Sequence, residues 1–352
     1  MSIAHSDEPP EPSAKRSRCE KKGRTRYLRA SGRKFCGLDC QEHGGPDRPF
    51  HFIQMADTQL GMETVFTGKP GWEHELNLMK LAANEVNRLK PAFVIVCGDL
   101  VNEYPAEETG RKSDAALLDQ QIRDFKEVFS TIDEDIPLIC LCGNHDIGNR
   151  PNSATIRRYQ ENFGDDYFSF WCHGVKCLVV NSQLWKDDSE AKDLREEMDK
   201  WLEAELEVEV NAGSTKPSRL LVFSHVPPFI REPDEGDEYF NLESGFRQEL
   251  LARMTQKGVV AWFSGHYHRN AGGVFRDSDG KELEVVVTAA VGTQIIDKPG
   301  GNHLGLSGIG GHLIGEEFSG FRLVKVHGDR IEHEWKTFAQ LKDVSATEAA
   351  AF

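Results

Sequence analysis

Five short apolar runs in this chain each end in a residue able to bind a metal ion. FHFIQMA leads into Asp57-Thr58-Gln59, AFVIVC into Gly98-Asp99, and PLICLC into Gly143-Asn144-His145-Asp146. RLLVFS leads into His225-Val226-Pro227, and VVAWFS into Gly265-His266-Tyr267-His268. Carboxylate, imidazole and amide donors from five separated segments make the ligand set of a two-metal centre. Two divalent ions about 3.5 to 4 Å apart can hold both oxygens of an in-line displacement at phosphorus and generate hydroxide near neutral pH. Such a pair needs one carboxylate that bridges both ions. Asp99 is the candidate, because Gly98 lets the backbone turn sharply at the end of its run. Asp57, Gln59 and His268 complete one site, and Asn144, His225 and His266 complete the other.

Mixed nitrogen and oxygen ligands suit Mn, Fe or Zn better than Ca, with Mg also admissible. Two Asp carboxylates against two dications leave about +2, or about +1 with a bridging hydroxide, a field suited to a phosphate oxyanion. His145, next to the ligand Asn144, is placed to protonate a departing alkoxide, with Asp146 or another nearby carboxylate to orient its ring.

These residues need a scaffold that brings five segments together. A run of β-branched and aromatic residues closed by Gly or a polar group reads as a strand buried on both faces. Ligands of open α/β sheets gather at the carboxyl ends of such strands. Between the runs, apolar residues recur at helical spacing: Leu76, Met79, Ala83, Val86 and Leu89; Leu118, Ile122, Phe125 and Phe129; Leu194, Met198 and Trp201; Phe246, Leu250 and Met254. This alternation predicts an α/β architecture from Pro49 onward. ELEVVVTAAVG and the pair FRLVKVHGDRIEHEWKTF, turning at Gly328-Asp329, predict strands of a second sheet, with a long glycine-rich loop from Gly300 to Gly320 between them. The acidic tract from Asp187 to Glu209 overlies a helix and reads as its solvated face.

Residues 1–48 lack periodicity and are rich in Pro, Ser, Gly, Lys and Arg, the composition of a disordered tail. Residues 49–340 form the expected domain, and 341–352 a frayed C-terminal tail. The first 50 residues carry 11 Lys and Arg against 7 Asp and Glu, while the rest carries a balance of −19. A body that negative repels a nucleic-acid backbone, so no nucleic-acid partner is expected. No apolar run approaches the 18 or more residues of a membrane span, and no leader pattern opens the chain, so a cytoplasmic protein without a membrane partner is expected. Within the tail, AKRSRCEKKGRTR has the composition of a nuclear-import patch. The eight cysteines are read as reduced. Cys172 and Cys177 could face each other across a hairpin, and Cys36 and Cys40, with His43 nearby, are a weak zinc pattern.

Together the five segments resemble the calcineurin-like metallophosphoesterase superfamily, from about His51 to Phe338. GDDYFSFW (Gly164 to Trp171), Asn181-Ser182-Gln183, Tyr239-Phe240-Asn241-Leu242 and FSGHYHRNAGG (Phe263 to Gly273) resemble more closely a branch of metal-dependent serine/threonine protein phosphatases. The resemblance implies a four-layer fold, two mixed β-sheets sandwiched between α-helices, with the dinuclear site at the sheet edge. It implies a phosphoprotein substrate. A nucleotide or small phosphodiester hydrolase would use the same metals, and a metal-binding scaffold without activity would have lost ligands that are present here. Gln59 stands where the superfamily's commonest motif has His, and a neutral amide is a weaker ligand than imidazole. Asn102-Glu103 stands where the large phosphoprotein phosphatases carry Asp-Arg, so an arginine that grips phosphate is missing. Arg269 and Arg150 are the candidates to replace it, with Asn144 as a further substrate contact. The acidic loop Arg231 to Phe240 follows His225 and is expected to overhang the site, where it would favour a basic phosphopeptide over a nucleotide.

Overall fold

The computed structural model describes residues 29–35, 38, 49–110, 112–207, 219–298, 306–327, 330–345 and 347. In chain order the elements begin with β1 (Ala30–Ser31), β2 (Lys34–Phe35), β3 (Phe50–Met55), α1 (Met62–Thr67), α2 (Glu73–Leu89), β4 (Val94–Cys97), α3 (Ala115–Phe129) and β5 (Leu138–Leu141). They continue through α4 (Asn144–Ile147), α5 (Ser153–Phe163), β6 (Phe168–Cys172), β7 (Val175–Val179), α6 (Ser182–Lys186), α7 (Lys192–Leu206), β8 (Arg219–Phe223), α8 (Ser244–Gln256) and β9 (Val259–Ser264). The last are β10 (Ala271–Arg276), β11 (Glu282–Val287), β12 (Gln294–Asp297), β13 (Ile309–Leu313), β14 (Gly320–Val326), β15 (Ile331–Thr337) and α9 (Phe338–Leu341).

Two mixed sheets carry the fold. One has the order β1-β2-β6-β7-β8-β9-β11-β10 and the other β15-β14-β3-β4-β5, while β12 and β13 form a separate ribbon. In β4, Val94 and Val96 face the helical side while Ile95 and Cys97 face the other sheet, and β8 divides its residues in the same way. Both faces are buried, which is why these strands read as unbroken apolar runs. Between the sheets lies a layer of phenylalanines. Phe52 stacks on Phe93 at 4.6 Å and meets Phe263 and Phe223 edge-on at 5.6 and 5.8 Å. The outer faces pack on α2 and α3 on one side and on α7 and α8 on the other, which completes the four layers. Strands β3, β4 and β5 are mutually parallel, as are β7, β8, β9 and β11. The five ligand-bearing exits therefore open toward one edge of the sandwich.

Several expectations are corrected. Glu282–Val287 pairs with β9 in the eight-stranded sheet, whereas β14 and β15 join β3 in the other, so the two regions do not share a sheet. The expected loop from Gly300 to Gly320 contains β13, which pairs with β12. The expected N-terminal tail contains β1 and β2, with Ala30 and Phe35 buried against the edge of the larger sheet. At the other end Leu341 is fully buried, because α9 packs on Phe321 through Phe338 and against α2. Cys172 pairs in register with Val175 and Cys177 with Phe170, so the two thiols do not oppose each other, and both are free. The basic run, the Cys36–Cys40–His43 pattern and the Gly328-Asp329 turn lie outside the described residues. Among those described, no helix is long and apolar enough to cross a membrane.

The inter-sheet layer predicts a large penalty for opening it. Phe52→Ala should cost about 3–5 kcal/mol, read as a lower midpoint in urea at unchanged slope. A loss under about 1 kcal/mol would mean that the two sheets do not share this core.

Candidate metal centre

The strand exits place seven side chains at the seam between the sheets. Asp57, Gln59, Asp99, Asn144, His225, His266 and His268 are all buried. Ligand atoms of Asp99, His225 and His266 lie within 4.8 Å of one another, and so do those of Asp57, Asp99 and His268. Asp99 belongs to both groups, the position expected of a bridging carboxylate.

Each imidazole is aimed by a backbone carbonyl. Nδ1 of His225 donates to the Cys97 carbonyl at 2.8 Å, leaving Nε2 at 3.3 Å from Asp99, 3.1 Å from Asn144 Oδ1 and 3.0 Å from His266 Nδ1. Nδ1 of His268 donates to the Thr293 carbonyl at 2.6 Å, and its Nε2 lies 3.3 Å from Asp57. His266 is reversed, its Nε2 meeting the Tyr239 carbonyl at 3.4 Å while Nδ1 turns inward. A carbonyl on the outer nitrogen fixes the tautomer and leaves the inner lone pair for a cation.

The backbone is bent to make this convergence. Asp57, Gln59, Asp99, His266 and His268 all have φ between 35° and 70°, the left-handed region that side chains other than glycine's rarely adopt. Asp57 N–H donates to the Gly98 carbonyl, and His266 N–H donates across the seam to the Asp57 carboxylate at 3.0 Å. Close approach demands glycine beside two ligands. A Cβ on Gly143 would stand 2.2 Å from Asp99 Oδ1, and one on Gly98 would stand 2.5 Å from His225 Nδ1.

Electrostatics point the same way. Burial alone would raise Asp99, but His225, His145 and His266 hold its carboxyl well below the usual range. Burial, reinforced by the charges of Asp99 and Asp146, pushes Asp57 well up. Burial opposes a charge on His225, yet Asp99 and Asp57 raise it to about 9. Burial lowers His268 to about 4 and holds His266 well below its ordinary value, favouring the neutral imidazole that binds metals. Two buried carboxylates facing across a few ångströms call for positive charge between them. Gln59 fits as well: its Nε2 donates to Asn102 Oδ1 at 3.3 Å, while its Oε1 is buried with no hydrogen-bond partner. An amide oxygen is a hard donor, and this one is left open for an ion.

His145 stands beside this cluster. Its N–H donates to Asp99 Oδ1 at 2.8 Å, its Nδ1 donates to the Asn102 carbonyl, and its Nε2 lies 3.0 Å from the Tyr104 hydroxyl. Asp146 does not hold the ring as expected. Its carboxylate accepts from the N–H groups of Gly143 at 2.7 Å and Leu100 at 3.1 Å, bracing the turn that presents Asn144. Burial, together with the charge of Asp99, pushes Asp146 up to about 8. Arg269 pairs with Asp297 at 2.7 Å and lies over the Tyr267 ring, while Arg150 reaches Glu190 at 3.8 Å and the Thr109 carbonyl. In the acidic loop, Glu235 accepts from the N–H groups of Ile230, Arg231 and Glu232, and Asp237 caps Ser244 N–H. Sequence reasoning missed Tyr104, Thr293 and the roles of Asn102 and Tyr239. Carbonyl contacts carry no residue signature, and Tyr239 was visible only as part of the segment YFNL.

A sequence model of the calcineurin-like phosphoesterase family matches residues 50–270. Serine/threonine-protein phosphatase CPPED1 of Danio rerio is 40% identical over 326 residues, covering 90% of this chain and 94% of its own. The Homo sapiens protein of that name is 33% identical over 326 residues, covering 90% of this chain and 93% of its own. The structure of purple acid phosphatase PPD1 from seeds of yellow lupin (Lupinus luteus) matches with a TM-score of 0.57 at 14% identity, over 84% of this chain and 52% of that one, a likeness of fold alone.

Gln59→His replaces an amide oxygen with imidazole. Calorimetric titration with Mn should show tighter binding at one of two sites, the other unchanged. Equal or weaker binding at both would remove Gln59 from the ligand set.

Proposed function

The chain belongs to the calcineurin-like phosphoesterase family, and on that premise we propose that it is a metal-dependent serine/threonine protein phosphatase. The observation that carries the substrate class is the match to serine/threonine-protein phosphatases across nine-tenths of both chains. Asp57, Gln59, Asp99 and His268 would hold one divalent ion, and Asp99, Asn144, His225 and His266 the other. Nitrogen and oxygen donors favour Mn, Fe or Zn, with Mg admissible. When bound, the two ions supply hydroxide near neutral pH and offset phosphate charge. The protein's own part is to hold and deliver a proton. The Asn102 carbonyl keeps the His145 Nδ1–H in place, so Nε2 is the atom that carries a proton to the leaving oxygen, and the Asp99 bond at its N–H ties the ring's root to the centre. Among the described residues, Cys97, Cys140, Cys142, Cys172 and Cys177 are free thiols, which supports a reducing, cytoplasmic setting.

His145→Ala separates the roles. Hydrolysis of a phosphoserine peptide should fall about 100-fold to 10,000-fold, whereas an aryl phosphate, whose phenolate leaves without help, should lose far less, with Mn content unchanged. Equal losses on both substrates would remove the general-acid role. A wild-type preference for a cyclic nucleotide over the phosphopeptide would overturn the protein-phosphatase reading.

The acidic loop refines substrate choice. Glu235 and Asp237 are bound into the loop itself, so steering falls to Glu232, Asp234 and Glu238. Asp234→Asn with Glu238→Gln should raise KM for a basic phosphopeptide at low salt only and leave an aryl phosphate unaffected. An equal effect on both substrates would make the loop purely structural.

A further inference from the structure

We propose that the hydroxyls of Tyr104 and Tyr239 are the donors that grip the phosphoryl oxygens of the substrate. The inference rests on the phosphoester-hydrolase reading and supplies a phosphate contact in place of Arg269 and Arg150, which face Asp297 and Glu190. Both hydroxyls accept from one amide group, Asn144 Nδ2, at 3.1 and 3.2 Å. The Oδ1 of the same side chain faces His225 within the ligand cluster. Each tyrosine also lies against a histidine of the site: Tyr104 with its ring 4.1 Å from that of His145, and Tyr239 with its ring 5.0 Å from that of His266. The two hydroxyls thus stand side by side where the metal cluster meets the general acid.

Asn149 ties the pair together. Its Nδ2 donates to Tyr104 at 3.4 Å, and its Oδ1 accepts from Tyr239 at 3.3 Å. Counting protons shows what is on offer. The Tyr104 oxygen accepts from two amides, which directs its own O–H at His145 Nε2. There it meets a ring nitrogen, which an anionic oxygen surpasses as an acceptor. The Tyr239 O–H rests on a neutral amide at long distance, and an anionic oxygen is the stronger acceptor. A phosphoryl group has oxygens for both.

Three cations among the described residues are engaged elsewhere. Arg269 is paired with Asp297, Arg150 reaches Glu190, and Lys186 donates to the carbonyls of Glu238 and Asn241 in the loop that carries Tyr239. Recognition by neutral hydroxyls suits a centre that already supplies net positive charge, because it adds direction without further charge.

Calorimetric binding of inorganic phosphate to the Mn-loaded protein tests this without turnover. Tyr104→Phe and Tyr239→Phe should each weaken phosphate binding about tenfold, with Mn content and the unfolding midpoint unchanged. The Tyr104→Phe loss should persist in a His145→Ala background. Binding within twofold of wild type in either variant, or loss of Mn from either, overturns the proposal. Disappearance of the Tyr104→Phe effect in the His145→Ala background would show that Tyr104 acts only through that ring, and overturns its assignment as a donor. A wild-type protein that binds no phosphate would overturn the hydrolase reading, and this one with it.

Discussion

Asp57 and Asp99 are carboxylates buried at the seam of two sheets, within one cluster of ligand atoms. Burying like charges together is costly unless positive charge lies between them. Much of the local structure serves that constraint. His225 is raised by the two acids, and Asp99 is held low by the histidines around it. Carbonyls of Cys97, Thr293 and Tyr239 each hold one ring nitrogen of three imidazoles, so that the other nitrogen points inward. The site is therefore organised around cations at the level of tautomers, before substrate is considered.

That organisation carries a cost elsewhere in the chain. Five candidate ligands sit in left-handed backbone, each worth about 1–3 kcal/mol of strain. Such strain persists only where the surroundings leave no alternative, and here the surroundings are the phenylalanine layer and the parallel ladders behind each exit. Asp57 shows the coupling. Its N–H is tied to Gly98 in its own sheet and its carboxylate to His266 N–H in the other, so the ligand itself staples the sheets at the edge where they would part.

Much of this was legible in the sequence because each ligand follows a run buried on both faces, and such runs have no competing helical period. The candidate ligand positions and the α/β alternation could be read for that reason, whereas the two mixed sheets followed from the family resemblance. What was hidden has a common cause, long-range pairing. Glu282–Val287 looks like any edge strand, and only its register with β9 assigns it to the larger sheet. Phe35 reads as part of a polar tail until β2 is seen beside β6. Asp146 is adjacent to His145 in sequence, yet α4 turns its carboxylate back onto Gly143 and Leu100 while the ring looks toward Asn102. Adjacency on a helical turn places neighbouring side chains on different faces, so sequence proximity misled about contact.

The acidic loop is more than a charged surface. By composition it is an electrostatic feature, and by geometry it is a mount. Glu235 gathers three N–H groups of its own turn, Lys186 ties down the carbonyls of Glu238 and Asn241, and Asn241 Nδ2 donates back to Glu235 at 2.7 Å. What this brace fixes is Tyr239, with its carbonyl on His266 and its hydroxyl on Asn144. A loop that touches a ligand imidazole through backbone and a ligand amide through side chain cannot move without disturbing the centre. Charge on its outer residues can therefore change while the inner bonds remain fixed, which leaves assembly of the site undisturbed.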